Sequence, residues 1–219
     1  MPKPEIYLEP KARMLKILEL LEKAHPDAQT ALNHTNPLEM LIATILSAQN
    51  TDAGVNKVTE ALFKKYTTPE DYATADVNTL AQDMRSINFS KGKARNIKQA
   101  CQILVEKHNG KIPCTMNDLI ELPGVARKTA NVVLYNACGK TEGVAVDTHV
   151  KRLSQRLGLT DSDKPAKIEL TLMELAPHDK WMRLSDLLIC HGRQVCTARK
   201  PTCAGCVLNK ICPCAFCFE

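Results

Sequence analysis

Four cysteines near the end of the chain, Cys196, Cys203, Cys206 and Cys212, follow one another as C-x6-C-x2-C-x5-C. Four thiolates in so short a stretch can bind zinc or an iron-sulfur cluster, and donor chemistry alone does not choose between them. Structural zinc sites more often use two CxxC-like pairs, whereas these four contain one. Two further cysteines, Cys214 and Cys217, extend the run in a CPCAFC tail. They leave three options open: substituting for Cys212, holding a second metal, or doing neither. After about Ile189 the chain is irregular and carries seven of its ten cysteines, so a metal or cluster is expected to organise it.

A second constellation lies in residues 115–138, TMNDLIELPGVARKTANVVLYNAC. It reads as a short helix ending at Leu122, a turn on Pro123 and Gly124, and a second helix starting near Ala126. Unpaired N–H groups at the start of such a helix, aided by its dipole, can hold a phosphate without reading bases. A plain packing corner reads the same way. Arg127 and Lys128, however, stand in the first turn of the second helix, where the dipole disfavours cations. An anionic partner would offset that cost. Asp147, just before THVKRL, reads as a helix N-cap, and its carboxylate is a candidate for chemistry as well. His149 reads as a packing or hydrogen-bonding histidine.

The elements that must position these groups are helices. Residues 11–24 put Met14, Leu18 and Leu21 on one stripe, and residues 51–66 do the same with Val55, Val58, Leu62 and Tyr66. NPLEMLIATILSAQ has Asn36 as N-cap, Pro37 at the first helical position and Glu39 three residues after the cap, followed by a helix apolar on nearly every side. It is the expected centre of the core. Further helices begin at caps Asp76, Thr115 and Asp147 and end near Gly110, Gly139 and Gly158. No strand, fixed-period repeat or low-complexity segment is visible, and the fold class read from this is all-α. Cys101, Cys114, Cys138 and Cys190 fall in helical or helix-adjacent positions and read as buried small hydrophobes.

LPGVARKTANVVL closely resembles the helix-hairpin-helix of the endonuclease III family, and the similarity continues through VAVDTH at residues 144–149. The cysteine spacing, preceded by HGRQVC, is similar to that family's 4Fe-4S pattern. The resemblance covers roughly residues 30–213. It implies a two-lobed helix-hairpin-helix DNA glycosylase fold: a six-helix lobe over about 27–140, and an iron-sulfur lobe from 1–26 plus 141–219, with damaged duplex DNA in the cleft between. It also implies Lys128 as nucleophile, Asp147 as catalytic carboxylate, and a 4Fe-4S cofactor on Cys196, Cys203, Cys206 and Cys212. Such an enzyme removes oxidised or ring-saturated pyrimidines and cuts at abasic sites by β-elimination.

The same resemblance places Gln49, in LSAQNTD, in the gap left by an extruded nucleotide, with Ile87 and Phe89, in INFSKGKA, against the opposite strand. Read without it, Gln49 is a helix-end polar residue and Phe89 a core aromatic. Gly124, Ala126 and Arg127 are expected at a DNA phosphate, and Arg199 and Lys200, from TARKPT between the first two cysteines, at another; a solvated basic loop is the alternative. Family members commonly carry glycine where Ala126 stands. Alanine is strained there if the position needs a positive φ and suits it if the helix has already begun.

Composition bounds these readings. The 219 residues are 44% hydrophobic but 4% aromatic, and the formal charge of +5 is weak testimony to a polyanionic partner by itself. The N-terminal segment has charges in every apolar stretch, so no signal peptide is read, and no run approaches the roughly 18 apolar residues of a membrane span. A soluble, intracellular monomer with reduced thiols is expected, cytoplasmic or nucleoid-associated if bacterial. Two rival readings are a monofunctional glycosylase, which Lys128 opposes, and a non-catalytic DNA-binding module holding zinc.

Overall fold

A computed structural model of the chain describes residues 5–217, and within them every regular element is helical. The chain divides into two compact units, Ala31–Glu142 and Met1–Thr30 with Gly143–Glu219. Residues 1–4 and 218–219 of the second lie outside the described residues. No described helix is long and apolar enough to cross a membrane.

The unit 31–142 contains α2 (Pro37–Ser47), α3 (Asp52–Lys65), α4 (Pro69–Thr74), α5 (Val77–Asp83), α6 (Ser90–His108), α7 (Met116–Ile120) and α8 (Arg127–Cys138). Helix α2 starts where the sequence requires: the Asn36 side chain accepts from the Glu39 N–H, and Pro37 occupies the first turn. The Glu39 carboxylate reaches one residue further back than a capping box, to the Thr35 N–H and hydroxyl. Leu38 and every residue from Met40 to Leu46 are buried, and α3, α6 and α8 pack around them. At about 1.5–3 kcal/mol per large apolar side chain, this helix contributes a large share of the unit's core energy. Helices α4 and α5 lie against α6, and α7 against α8.

The other unit is built from α1 (Pro10–Ala24), α9 (Thr148–Arg156), α10 (Pro165–Leu175) and α11 (Trp181–Gln194), with one-turn 3-10 helices at His178–Lys180 and Cys203–Gly205. Met14, Ile17, Leu18 and Leu21 of α1 pack with Val150 and Leu153 of α9, Ile168 and Leu172 of α10, and Leu184, Leu187 and Leu188 of α11. Buried Arg13 fastens the N-terminal helix to the end of α9, donating to the Leu157 and Gly158 carbonyls at 3.1 Å. Gly158 has φ +63°, and a Cβ there would stand 2.7 Å from the same guanidinium.

One expectation about the cysteines is corrected. Cys114 and Cys138 are not separate buried thiols but a disulfide, with Cα atoms 5.8 Å apart. The residue before the α7 cap and the last residue of α8 meet because the hairpin folds α7 back on α8. Cys101 is buried, and Cys190, half-buried, has its sulfur 3.3 Å from the Gln194 amide nitrogen.

Candidate DNA-facing and cluster sites

Helix α7 ends at Ile120, two residues earlier than the sequence suggests, and the turn that follows depends on Gly124. Its φ is +86°, and a Cβ would meet Asn96 at 3.1 Å. Ala126 is the N-cap of α8 with φ −87° and ψ 168°, an ordinary extended conformation that alanine adopts without strain. Its methyl group cannot cap a helix. Within this unit α2, α3, α4, α5 and α7 each have a side-chain cap, whereas α6 and α8 have none. The first N–H groups of α8 are therefore presented without a side-chain acceptor, flanked by exposed Ala126, Arg127 and Lys128. That end suits an anion. Arg127 also donates to the Glu142 carbonyl at 3.4 Å.

In the other unit, Asp147 caps α9. Its Oδ1 accepts from the N–H groups of His149 and Val150, both at 2.8 Å, and no hydrogen bond among the described residues engages Oδ2. One oxygen holds the helix while the other is open to chemistry. The approach is fixed by Val144, Ala145 and Val146, all buried, and by the Ala145 N–H donating to Ser185 Oγ at 3.0 Å. His149 serves structure, as expected: Nδ1 lies 3.1 Å from Arg152, and burial lowers its pKa.

Three non-glycine residues of the unit 31–142 have left-handed backbone, Asn109 after α6 and two in other turns. Gln49, after α2, has φ 57°, and Phe89, before α6, has φ 59°; both are exposed, Phe89 to 69%. A non-glycine residue held there carries strain of the kind that collects at working sites. Phe89 is thus no core aromatic. Ile87 is corrected in the opposite sense: it is 3% exposed and belongs to the core, so it cannot also lie against a DNA strand.

The sequence reading missed what joins these turns. The Asn88 N–H donates to Asn50 Oδ1 at 2.9 Å, and Asn88 Nδ2 donates to the Gln49 carbonyl at 2.7 Å. Asn50 Nδ2 donates to the carbonyls of Leu46 and Ala48, both at 2.9 Å. Lys93, 8% exposed, donates to the same two carbonyls at 2.8 and 2.6 Å. Burial pushes its pKa down, but the carbonyl end of α2 is where a cation is favoured.

Cys196, Cys203, Cys206 and Cys212 all line one cavity, walled by Leu153, Leu157, Val195 and Leu208. No three His, Cys, Asp or Glu side chains among the described residues come together as a single ion requires. The four thiols instead stand around a space, the arrangement a multi-atom cluster fills. Donors already face the sulfurs: Arg156 reaches Cys196 Sγ at 3.3 Å, the Leu208 N–H reaches Cys206 Sγ at 3.4 Å, and His191 Nε2 lies 3.3 Å from Cys206 Sγ. Burial pushes the Cys212 thiol up to about 12. Cys214 lines the same cavity.

Arg156, another residue the sequence did not single out, also donates to the carbonyls of Thr197 and Ala198. It fixes the loop that exposes Arg199 and Lys200. Thr197 Oγ1 closes that loop on the Lys200 carbonyl at 2.7 Å.

Residues 42–178 match the family model of the HhH-GPD superfamily base excision DNA repair proteins. The chain is 50% identical over 205 residues to endonuclease III of Synechocystis sp., covering 94% of each, and 40% identical over 202 residues to that of Escherichia coli, covering 92% of this chain and 95% of the relative. Among solved structures, a trapped endonuclease III–DNA covalent intermediate matches with TM-score 0.88 at 45% identity, covering 94% of this chain and 96% of the other. A thermostable thymine-DNA glycosylase matches with TM-score 0.77 at 26% identity, covering 93% and 94%. With the superfamily model spanning more than half its length and such relatives spanning nearly all of it, the chain belongs to the endonuclease III family.

Proposed function

We propose that this chain is a base excision DNA glycosylase with AP lyase activity, acting on oxidised or ring-saturated pyrimidines in duplex DNA through a Schiff base on Lys128. The observation that carries the reading is an exposed lysine in the first turn of a helix whose N-terminus has no side-chain cap. A DNA phosphate at the α8 N–H groups brings the neighbouring deoxyribose within reach of that amine. The solved relatives include endonuclease III bound to DNA, both covalently and non-covalently, which favours duplex DNA as the partner here.

In this mechanism the neutral Lys128 amine attacks C1′ as the N-glycosidic bond breaks, and the base leaves with the bonding electron pair and takes up a proton. Positive charge builds on the sugar, and the free oxygen of Asp147 stabilises it. The ring opens to a Schiff base, a proton leaves C2′, and the 3′ phosphate is expelled. Hydrolysis of the iminium then frees Lys128. Gln49 fills the space that the extruded nucleotide vacates, and Phe89 wedges against the opposite strand. Gly124, Ala126 and Arg127 form the phosphate seat, and Arg199 and Lys200 contact a second phosphate.

Cys196, Cys203, Cys206 and Cys212 would hold a 4Fe-4S cluster, whose contribution when bound would be structural, linking the cysteine segment that follows α11 into one loop beside Arg199. That four thiols line one space while no three donors among the described residues come together as a single ion requires supports it over zinc.

Borohydride trapping tests the reading. Native protein and Lys128→Gln are each mixed with duplexes carrying an abasic site or an oxidised pyrimidine. A covalent adduct with the native protein that disappears in the variant is expected. Base release without any adduct would favour a monofunctional glycosylase, and DNA binding without either would favour a non-catalytic module.

A further inference from the structure

Four hydrogen bonds, from Asn88 and Lys93, join the turn that ends α2 to the turn that begins α6, and two more, from the Asn50 side chain, lie within the first turn. They are not distributed over the surface. All of them converge on residues 46–50, and every donor or acceptor from the second turn lies at Asn88 or Lys93. Gln49 and Phe89, both exposed and both with left-handed backbone, sit at the two ends of this network.

We propose that Asn88, Asn50 and Lys93 are positioning residues for nucleotide extrusion: they brace the Gln49 turn against the Phe89 turn, so that both side chains enter the duplex as one rigid unit. This rests on the glycosylase reading above and goes beyond it by assigning the groups that hold the probes rather than the probes themselves.

What the brace supplies is pre-ordering. When a nucleotide leaves the stack, its lost stacking must be replaced at that moment, and a side chain on a mobile turn has first to be ordered. Order already present in the free protein removes that loss from the barrier. A turn after a helix C-terminus is normally mobile, because its last carbonyls lack partners. Here Lys93 and Asn50 both satisfy the Leu46 and Ala48 carbonyls, and Asn88 holds the Gln49 carbonyl. Left-handed conformations at Gln49 and Phe89 persist only where surroundings over-determine them. The network is that surrounding, and its donors are placed on backbone atoms, leaving the Gln49 and Phe89 side chains unencumbered.

Asn88→Asp is the decisive variant, since it keeps size and the backbone bond to Asn50 but turns the donor facing the Gln49 carbonyl into an acceptor. Asn88 is exposed, so the fold survives. Cluster-loaded native protein, Asn88→Asp, Gln49→Ala and the double variant are compared in single-turnover base release from a duplex with an oxidised pyrimidine. The control is borohydride trapping on a single-stranded abasic oligonucleotide, where no base is extruded. Asn88→Asp is expected to slow base release about tenfold, the effect of one hydrogen bond replaced by repulsion, while trapping stays within about twofold of native. Asn88→Asp should cost the Gln49→Ala protein less than it costs native protein, because with one probe gone only Phe89 is left to position.

Losses that multiply in the double variant overturn the proposal, and so does an equal loss on both substrates. If native protein traps the abasic sugar yet releases no base from any duplex, the glycosylase reading falls first and the brace with it.

Discussion

Asp147 caps α9 with one oxygen, the proposed mechanism gives the other a second task, and substitution can separate the two. Oδ1 accepts two N–H bonds at 2.8 Å from His149 and Val150, and Oδ2 has none among the described residues. Asparagine keeps an oxygen for both cap bonds and caps helices about as well as aspartate, so Asp147→Asn loses only the charge–dipole part, about 0.3–1 kcal/mol. Alanine loses the cap itself, about 1 kcal/mol and up to roughly 2. In a chain of this size each kcal/mol moves Tm by about 2–4 °C. Removing a group that stabilises charge in the transition state typically slows the step about 100- to 1000-fold. Thermal melting and single-turnover base release, run side by side, should therefore give a slow but near-native-stable asparagine variant and a slow, less stable alanine variant. If Asp147→Asn releases base at close to the native rate, the carboxylate is only a cap and the catalytic assignment is wrong.

Arg199→Ala or Lys200→Ala should reduce the salt dependence of DNA binding by a slope of about 0.9 per lost phosphate contact, read from log Kd against log salt; an unchanged slope places the loop away from DNA. Asp186, in α11, gives a pH-dependent test. Burial pushes its carboxyl from an ordinary 3.8 up to about 6, so the folded state holds the proton more tightly than the unfolded chain does. The associated stability is full below about pH 4 and is lost as pH rises through 6. Asp186→Asn should accordingly be more stable than native protein at pH 8, by roughly 3 kcal/mol at most, with the difference closing near pH 4. Urea midpoints at the two pH values check it, and a pH-independent difference would refute the titration.

Local chemistry was legible and distant pairing was not. The caps at Asn36, Asp76, Thr115 and Asp147 all hold their helices in the structure, because cap and helix lie within three residues of each other. Alanine at 126 could also be judged in advance as a choice between two backbone conformations, and its negative φ selects the unstrained one. By contrast, Asn88 pairs with residues 38 and 39 positions away, and Lys93 with carbonyls 45 and 47 away. No periodicity encodes such distances. A buried lysine looks like any surface lysine until the helix end it faces is known. The Cys114–Cys138 bridge was hidden for the same reason, and so was the burial of Ile87 in the core of its unit.

What the functional positions share is a helix terminus rather than a secondary-structure type. Gln49 follows the end of α2, Phe89 precedes α6, Lys128 stands in the first turn of α8, and Asp147 caps α9. Helix ends are where backbone donors and acceptors lack internal partners. Each terminus here resolves that deficit differently. Lys93 and Asn50 serve the carbonyls of α2, and Asp147 serves the N–H groups of α9 with one oxygen. Helix α8 is given no side-chain cap at all. A terminus capped by its own chain is finished, whereas one without a side-chain cap suits an anion from outside. On the proposed reading, a phosphate seated at the start of α8 would be the same one that brings the sugar to Lys128.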